Sequence, residues 1–333
     1  MTDTTPPSFQ DALDLLLDEQ QPLETDMLMP YTRFFSDITP SRLKAFQKIW
    51  EKIPSARKHA LLAHLKDEDD FDLRYSFDDL ALPLLSDADE VVRTFALRLL
   101  ETYEGEDVIA KLLDIAENDP AIDPRVEAIA LLGIYVYYGE LEEVSPENLK
   151  KIEEVLLRIA KNEGKAKIRQ AAIEALGFSS REEVPALIKD AWERDAAAWK
   201  ASAVFAMGRS YDTAWKEEVL EGLVNENDLV RLAATKAAGS LSLAAARPIL
   251  LRLLTEENEE PVLRAAIWSL TEIGGEDVRE YLYALLDEYG DEDEEQIAYI
   301  EEALENLNFT EDVQNFDIFN VDLDGDLDLT DFE

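Results

Sequence analysis

The final stretch of the sequence, FNVDLDGDLDLTDFE, holds the spacing that points most directly to a specific chemistry. With Asn320 as position 1 of a calcium loop, Asp322 falls at position 3, Asp324 at 5 and Asp326 at 7. Gly325 is then the turn at 6, Leu327 the apolar residue at 8, Asp328 the ligand at 9 and Asp331 the ligand at 12. Calcium takes six to eight oxygens, and this spacing wraps them around one point. The same residues alternate apolar and acidic side chains, which also suits an extended segment docking on a partner, or a solvated acidic tail. All three readings stay open. No Lys, Arg or His follows Arg279.

Elsewhere the chemistry-bearing residues are sparse. His59 and His64 are the two histidines. They are five apart rather than the three or four that place two ligands on one helical face. The chain has no Cys, so a disulfide framework, a zinc–thiolate site and a Cys nucleophile are excluded. GxSxG, HExxH, a phosphate-cradling glycine loop and a dinucleotide fingerprint are absent. These observations predict a binding protein rather than an enzyme.

The elements that must position such residues are repeats. One phrase recurs, in which a β-branched residue before Arg leads into an Ala-rich helix ending in Leu-Gly. It reads DADEVVRTFALRLLE, DPAIDPRVEAIALLG, EGKAKIRQAAIEALG, RDAAAWKASAVFAMG, NENDLVRLAATKAAG and ENEEPVLRAAIWSLT, with a weaker copy in EEQIAYIEEALE. The anchor position is Arg93, Arg125, Arg169, Lys200, Arg231, Leu263 and Ile297. The one long step between anchors holds an insertion, IYVYYGELEEVSPEN. A period in the thirties with two amphipathic stretches per unit is the mark of a helix-pair solenoid. Small residues at anchor +2, +3 and +6 form a stripe that lets helices approach closely. Gly at +8 is placed where a left-handed helix cap would be useful.

The pattern resembles HEAT repeats, whose hallmark is an acidic residue six before an Arg. It stands here as Asp87 with Arg93, Asp119 with Arg125 and Glu163 with Arg169. Pro185 and Pro248 match the proline of the HEAT first helix, and the VRxAAxxALG phrasing is most similar to the HEAT-like repeats of phycobilisome lyases. The resemblance implies an all-α, right-handed α-solenoid of the armadillo-like class, with about eight HEAT-like helix pairs. The organisation expected is an arm with one short helix at 1–38, a cap helix pair at 39–76, the solenoid at 77–307 and an acidic tail at 308–333. Residues 67–79 read as a loop. The tail is similar to an EF-hand loop of the dockerin kind.

Net charge is -42. Such a surface repels phosphate backbones and anionic lipid, which excludes nucleic-acid and membrane-surface roles. It suits either solubility or a protein partner with a basic surface. The N-terminus lacks the basic start and apolar core of a secretory signal, and no apolar run is long enough to span a bilayer, so a cytoplasmic location is expected. In solenoids of the resembled kind, second helices line the binding face. Their outward positions near anchor +1, +5 and +9 hold Arg98, Phe205, Arg209, Lys236, Arg264 and Trp268. Arg and aromatic side chains exposed together make protein-binding patches; the alternative is that Phe205 and Trp268 fill core gaps. Tyr135, Tyr137 and Tyr138 of the insertion, with the loop after them, form a second exposed candidate; the alternative is extra packing under a longer helix. The expected function is a protein-interaction scaffold, with an accessory factor of a protein-modification system as the alternative. Calcium is the one cofactor suggested.

Overall fold

Each Ala-rich phrase is a helix because small, good helix formers are spaced to bury one stripe, and each is preceded by an amphipathic helix that covers it. The computed structural model describes residues 6–20, 22–72, 74–289 and 294–320, and all regular structure in them is helical. The chain divides into two units, 1–175 and 176–333.

In the first unit, α1 (Phe9–Leu17), α2 (Thr25–Leu28), α3 (Pro40–Trp50) and α4 (Ser55–Phe71) precede the repeats. The arm holds more than the single helix expected, because aromatic burial orders it. Phe35 and Phe46 meet edge to face, and Arg42 lies over the rings of Phe9 and Phe34. Arg57 then closes the end of α1 by donating to the carbonyls of Leu15 and Leu16 at 2.6 and 3.1 Å. Of the segment read as a loop at 67–79, α4 takes the residues up to Phe71. The repeats follow as α5 (Asp78–Leu84) with α6 (Glu90–Arg98), α7 (Ile109–Asn118) with α8 (Ile122–Glu140), and α9 (Pro146–Asn162) with α10 (Ala166–Leu176). The insertion lengthens α8. It does not form a separate exposed loop of tyrosines: Tyr135 is buried, and its hydroxyl donates to the carbonyls of Tyr103 and Gly105.

The second unit pairs α11 (Val184–Trp192) with α12 (Ala197–Arg209), and α13 (Lys216–Leu223) with α14 (Asp228–Ser240). It continues with α15 (Arg247–Glu256) and α16 (Glu260–Ile273), then α17 (Glu276–Tyr289) and α18 (Glu294–Asn320). Pro185 and Pro248 stand in the first turns of α11 and α15, where a missing N–H costs nothing. The alanines at anchor +3, namely Ala96, Ala128, Ala172, Ala203, Ala234 and Ala266, are all at 0% exposure.

The glycines at +8 are not left-handed caps. Gly133, Gly208 and Gly239 instead let neighbouring second helices touch. A Cβ on Gly133 would lie 2.9 Å from the Cα of Ala175, one on Gly208 2.9 Å from that of Ala237, and one on Gly239 2.9 Å from that of Ser269. The left-handed position comes at +11, where Tyr211 has φ 51°, Ser242 φ 46° and Gly274 φ 72°. There the chain turns out of the helix and frees the last carbonyls for capping, as when Leu243 N–H bonds the carbonyl of Ala238.

The anchor arginines form a ladder in which Asp119, Glu163 and Glu257, each six before an anchor, serve the arginine of the preceding repeat. Arg93 donates through Nη1 to the carbonyls of Asp87 and Ala88 in its own inter-helix turn. Through Nε and Nη2 it grips both oxygens of Asp119, each at 2.7 Å. Arg231 repeats this with the carbonyls of Asn225 and Glu226 and with the carboxylate of Glu257. Arg125 reaches Glu163 at 2.6 Å. Burial alone would raise the Asp119 carboxyl, but hydrogen bonds from Arg93 and from Ala121 N–H outweigh it and hold it below the usual carboxylate value. Lys200 departs from the pattern, and so does the position where its acid would stand, which is Asn225. Lys200 sits instead over the Trp192 ring at 4.6 Å. Leu263 lacks the anchor cation, yet Glu257 six before it is kept because Arg231 needs it.

Candidate functional site

On the second helices of unit 2, positions +1, +5 and +9 face away from the small-residue stripe. Phe205, Arg209, Lys236, Arg264 and Trp268 there border two adjoining hollows. One, of about 490 Å³, is lined by Lys236, Arg264, Trp268, Glu272 and Tyr299 among others. The other, of about 240 Å³, is lined by Phe178, Phe205, Arg209, Tyr211 and Lys236 among others. Lys236 and Ser240 line both, which makes one groove across α12, α14, α16 and α18.

The groove is built from cations seated on rings. The Arg209 guanidinium lies 4.8 Å from the Phe178 ring centre and 4.4 Å from that of Phe205. Arg264 lies 4.2 Å from the Tyr299 ring, while the Tyr299 hydroxyl donates to the Arg264 carbonyl at 2.7 Å. Such contacts gain most where the cation is partly desolvated, and these three rings are half-buried, as is Trp268. Phe205 and Trp268 are therefore neither fully exposed nor core. On the floor, burial pushes the Glu272 carboxyl above its ordinary value, against the hydrogen bond it accepts from the Trp268 side chain. That carboxylate lies over Gly239, where a Cβ would collide with it.

Charge is inverted along α12 and α14, whereas α16 carries Glu260 and Glu272 beside Arg264 and α18 is acidic with no cation. The chain has 74 acidic and 32 basic residues, yet α12 carries Lys200 and Arg209 and no acid. In α14 the one acid is Asp228, at the first residue.

Arg98, the remaining predicted contact residue, belongs to unit 1. It donates to Glu127 of the next second helix at 2.8 and 2.6 Å. Lys167 likewise reaches Asp123 at 2.7 Å. Trp199 is core, with Arg194 stacked 4.2 Å from its ring.

A Ser–His–Asp cluster that the sequence does not announce lies at the start of α6. His59 Nε2 is 2.7 Å from Asp89 and 3.2 Å from the Ser55 hydroxyl, which itself bonds Asp89. Both contacts use the same ring nitrogen, so the imidazole does not stand between nucleophile and carboxylate as a proton relay would require. Asp89 accepts from Val91 N–H and caps α6. Burial works against its ionisation, but these hydrogen bonds hold it at about 2. His64 is buried, with Nε2 2.7 Å from the Thr32 hydroxyl.

Among the described residues no three His, Asp or Glu side chains converge as a metal site, and no helix is long and apolar enough to cross a membrane. Asn320 is the last residue of α18, so the helix runs well into the segment counted with the tail. Asp322, Asp324, Asp326, Asp328 and Asp331 lie outside the described residues.

Four groove residues were missed in the sequence. Phe178 and Glu272 stand at +9 of their repeats, so the rule that found Arg209 would have found them. Tyr211 is at the left-handed +11 position. Tyr299 is displaced because Ile297 is an approximate anchor at the end of the stack.

A family model for HEAT repeats matches residues 216–304. A search of curated proteins gives no match. Among solved structures, the chain is similar to the Escherichia coli protein YibA, at 18% identity and TM-score 0.42, covering 87% of this chain and 99% of that one. It is similar to the CpcE–CpcF phycocyanin lyase complex of Nostoc sp. PCC7120, at 17% identity and TM-score 0.46, covering 69% and 94%. It is also similar to human deoxyhypusine hydroxylase, at 17% identity and TM-score 0.35, covering 80% and 96%.

Proposed function

We propose that this chain is a protein-interaction scaffold whose unit 2 groove holds a segment of a partner protein. The observation that carries the reading is the pair of ring-seated guanidiniums, Arg209 on α12 and Arg264 on α16, with Lys236 of α14 lining the hollows between them. Half-buried aromatics beside Arg supply rigid apolar area and directional donors, the usual makings of a binding hot spot. A groove of this kind fits an extended segment with apolar side chains and carboxylates. The basic-surfaced partner expected from net charge would meet the acidic exterior rather than the groove. An accessory role in protein modification would use the same surface, with the modifying chemistry supplied by another protein.

The test is affinity capture followed by crosslinking from Ser240, comparing the native chain with an Arg209→Glu, Lys236→Glu, Arg264→Glu variant. Arg98→Glu in unit 1 is the control. A partner that crosslinks at Ser240, survives the control and is lost from the triple variant supports the groove. A partner captured equally by all three sinks it.

A further inference from the structure

The groove is cationic in a strongly acidic chain, and the acidic segment at residues 321–333 follows directly from one of the helices that build it. We propose that this segment occupies the groove in cis and competes with the partner. The inference rests on the groove being a binding surface, as argued above.

Three observations converge. The first is charge. Arg209, Lys236 and Arg264 border the groove, and the segment carries Asp322, Asp324, Asp326, Asp328, Asp331 and Glu333 with no cation. The second is pattern. In an extended segment alternate side chains face opposite ways, so Val321, Leu323, Leu327 and Leu329 would share one side and Asp322, Asp324, Asp326 and Asp328 the other. The apolar side can meet Trp268 and Tyr299 while carboxylates reach the cations along the rim.

The third is reach. The groove residues at +5 and +9 lie toward the C-terminal ends of α12, α14 and α16. Helix α18 runs alongside α16, with Tyr299 bonded to Arg264 and Asn306 to Thr271. From Asn306 to Asn320, α18 projects about 21 Å past that end of the groove at ~1.5 Å per residue. Thirteen extended residues span about 43 Å at ~3.3 Å each. About 20 Å is left after the return, which crosses two helix spacings of ~10 Å and brings the end of the segment to Lys236.

The absence of Cys makes a direct test available. In the full chain, Ser240→Cys is combined with Thr330→Cys and joined by a short bismaleimide. Glu221→Cys on α13 replaces Ser240→Cys in the control pair. The expected result is an intramolecular crosslink about tenfold faster than the control, as tethering to a matching site predicts. It should slow to the control rate in 0.5 M salt or when the five tail Asp residues become Asn. Circular dichroism checks that each variant folds.

A rate equal to the control overturns the proposal, and so does a crosslink found between molecules only. The second arm titrates a labelled VDLDGDLDLTDFE peptide onto the native chain and onto the five-Asn variant. Binding about tenfold tighter to the variant is expected, because the competing segment is then released. Equal binding to both chains overturns the cis contact and leaves the groove standing. Binding to neither overturns the groove itself.

Discussion

The second helices of the two units present the same face in different states. In unit 1, Arg98 is tied to Glu127 and Lys167 to Asp123, each across to a neighbouring repeat. In unit 2, Arg209 lies between Phe178 and Phe205 and Arg264 over Tyr299. The Ala and Gly stripe beneath is the same. The scaffold is therefore indifferent to what its outward positions carry. Where those positions hold cation and acid in adjacent repeats, the face closes on itself. Where they hold cation and ring, a groove remains, with Arg264 also paired to Glu260 of its own helix.

The largest expected effect tests whether position, rather than residue type, decides an arginine's worth. Arg93 and Asp119 have side-chain exposures of 9% and 5%, so Arg93→Ala leaves a buried carboxylate uncompensated and should cost about 3 kcal/mol or more in urea unfolding. Arg98, at 44% exposure, should cost under about 1 kcal/mol on the same substitution. Equal losses would erase the distinction between ladder and face.

Next come the close approaches. Gly208→Val and Gly133→Val should each destabilise by about 2 kcal/mol, since the added side chain meets the backbone of the next second helix. Gly208→Val alone should also remove groove binding, because it parts α12 from α14. Loss of binding in both would deny the groove to unit 2.

Within the groove, Arg264→Ala should weaken binding of the partner or the peptide by about 2 kcal/mol, roughly thirtyfold, with little loss of folding stability. Isothermal titration and thermal melts separate the two.

Acid should divide the units. Burial holds the His64 imidazole below its ordinary 6.5, so the folded state resists protonation. Its contribution is present above that value and is lost as pH falls below it. The hydrogen bonds that depress Asp119 act lower, with their contribution lost as pH falls below 3.8. His64 lies in unit 1, so hydrogen exchange near pH 5.5 should rise there first, and His64→Leu should remove that step. A rise shared equally by both units would contradict this.

The smallest effect concerns calcium. If residues 320–331 form a calcium loop, titration should give one site that Asp324→Asn weakens, and calcium should slow the crosslink to Ser240. An unchanged affinity in Asp324→Asn removes the loop reading.

Much of this was legible in the chain. Periodicity identified the helix pairs, because close packing demands Ala at fixed spacing whatever else changes. The outward rule located five groove residues. What it could not assign was direction across repeats. Six residues before Arg125, Asp119 looks like that arginine's partner, yet it belongs to Arg93, because the inter-helix turn faces the preceding pair. Gly at +8 looked like a cap for a similar reason. Sequence shows that a residue is small near a helix end, and only the neighbouring helix shows why.

The offset between each arginine and the acid it grips has an evolutionary consequence. A window cut from one anchor to the next carries a hook for the unit after it and an eye for the unit before. Any tandem copy of that window arrives with both fastenings made. Such a chain can lengthen or shorten by whole units without inventing a junction, and it tolerates a misfit inside the stack, as at Lys200 and Asn225. At its ends stand a leading eye with no hook before it, filled at Asp87 by the indole of Trp50, and a trailing hook surrendered at Leu263.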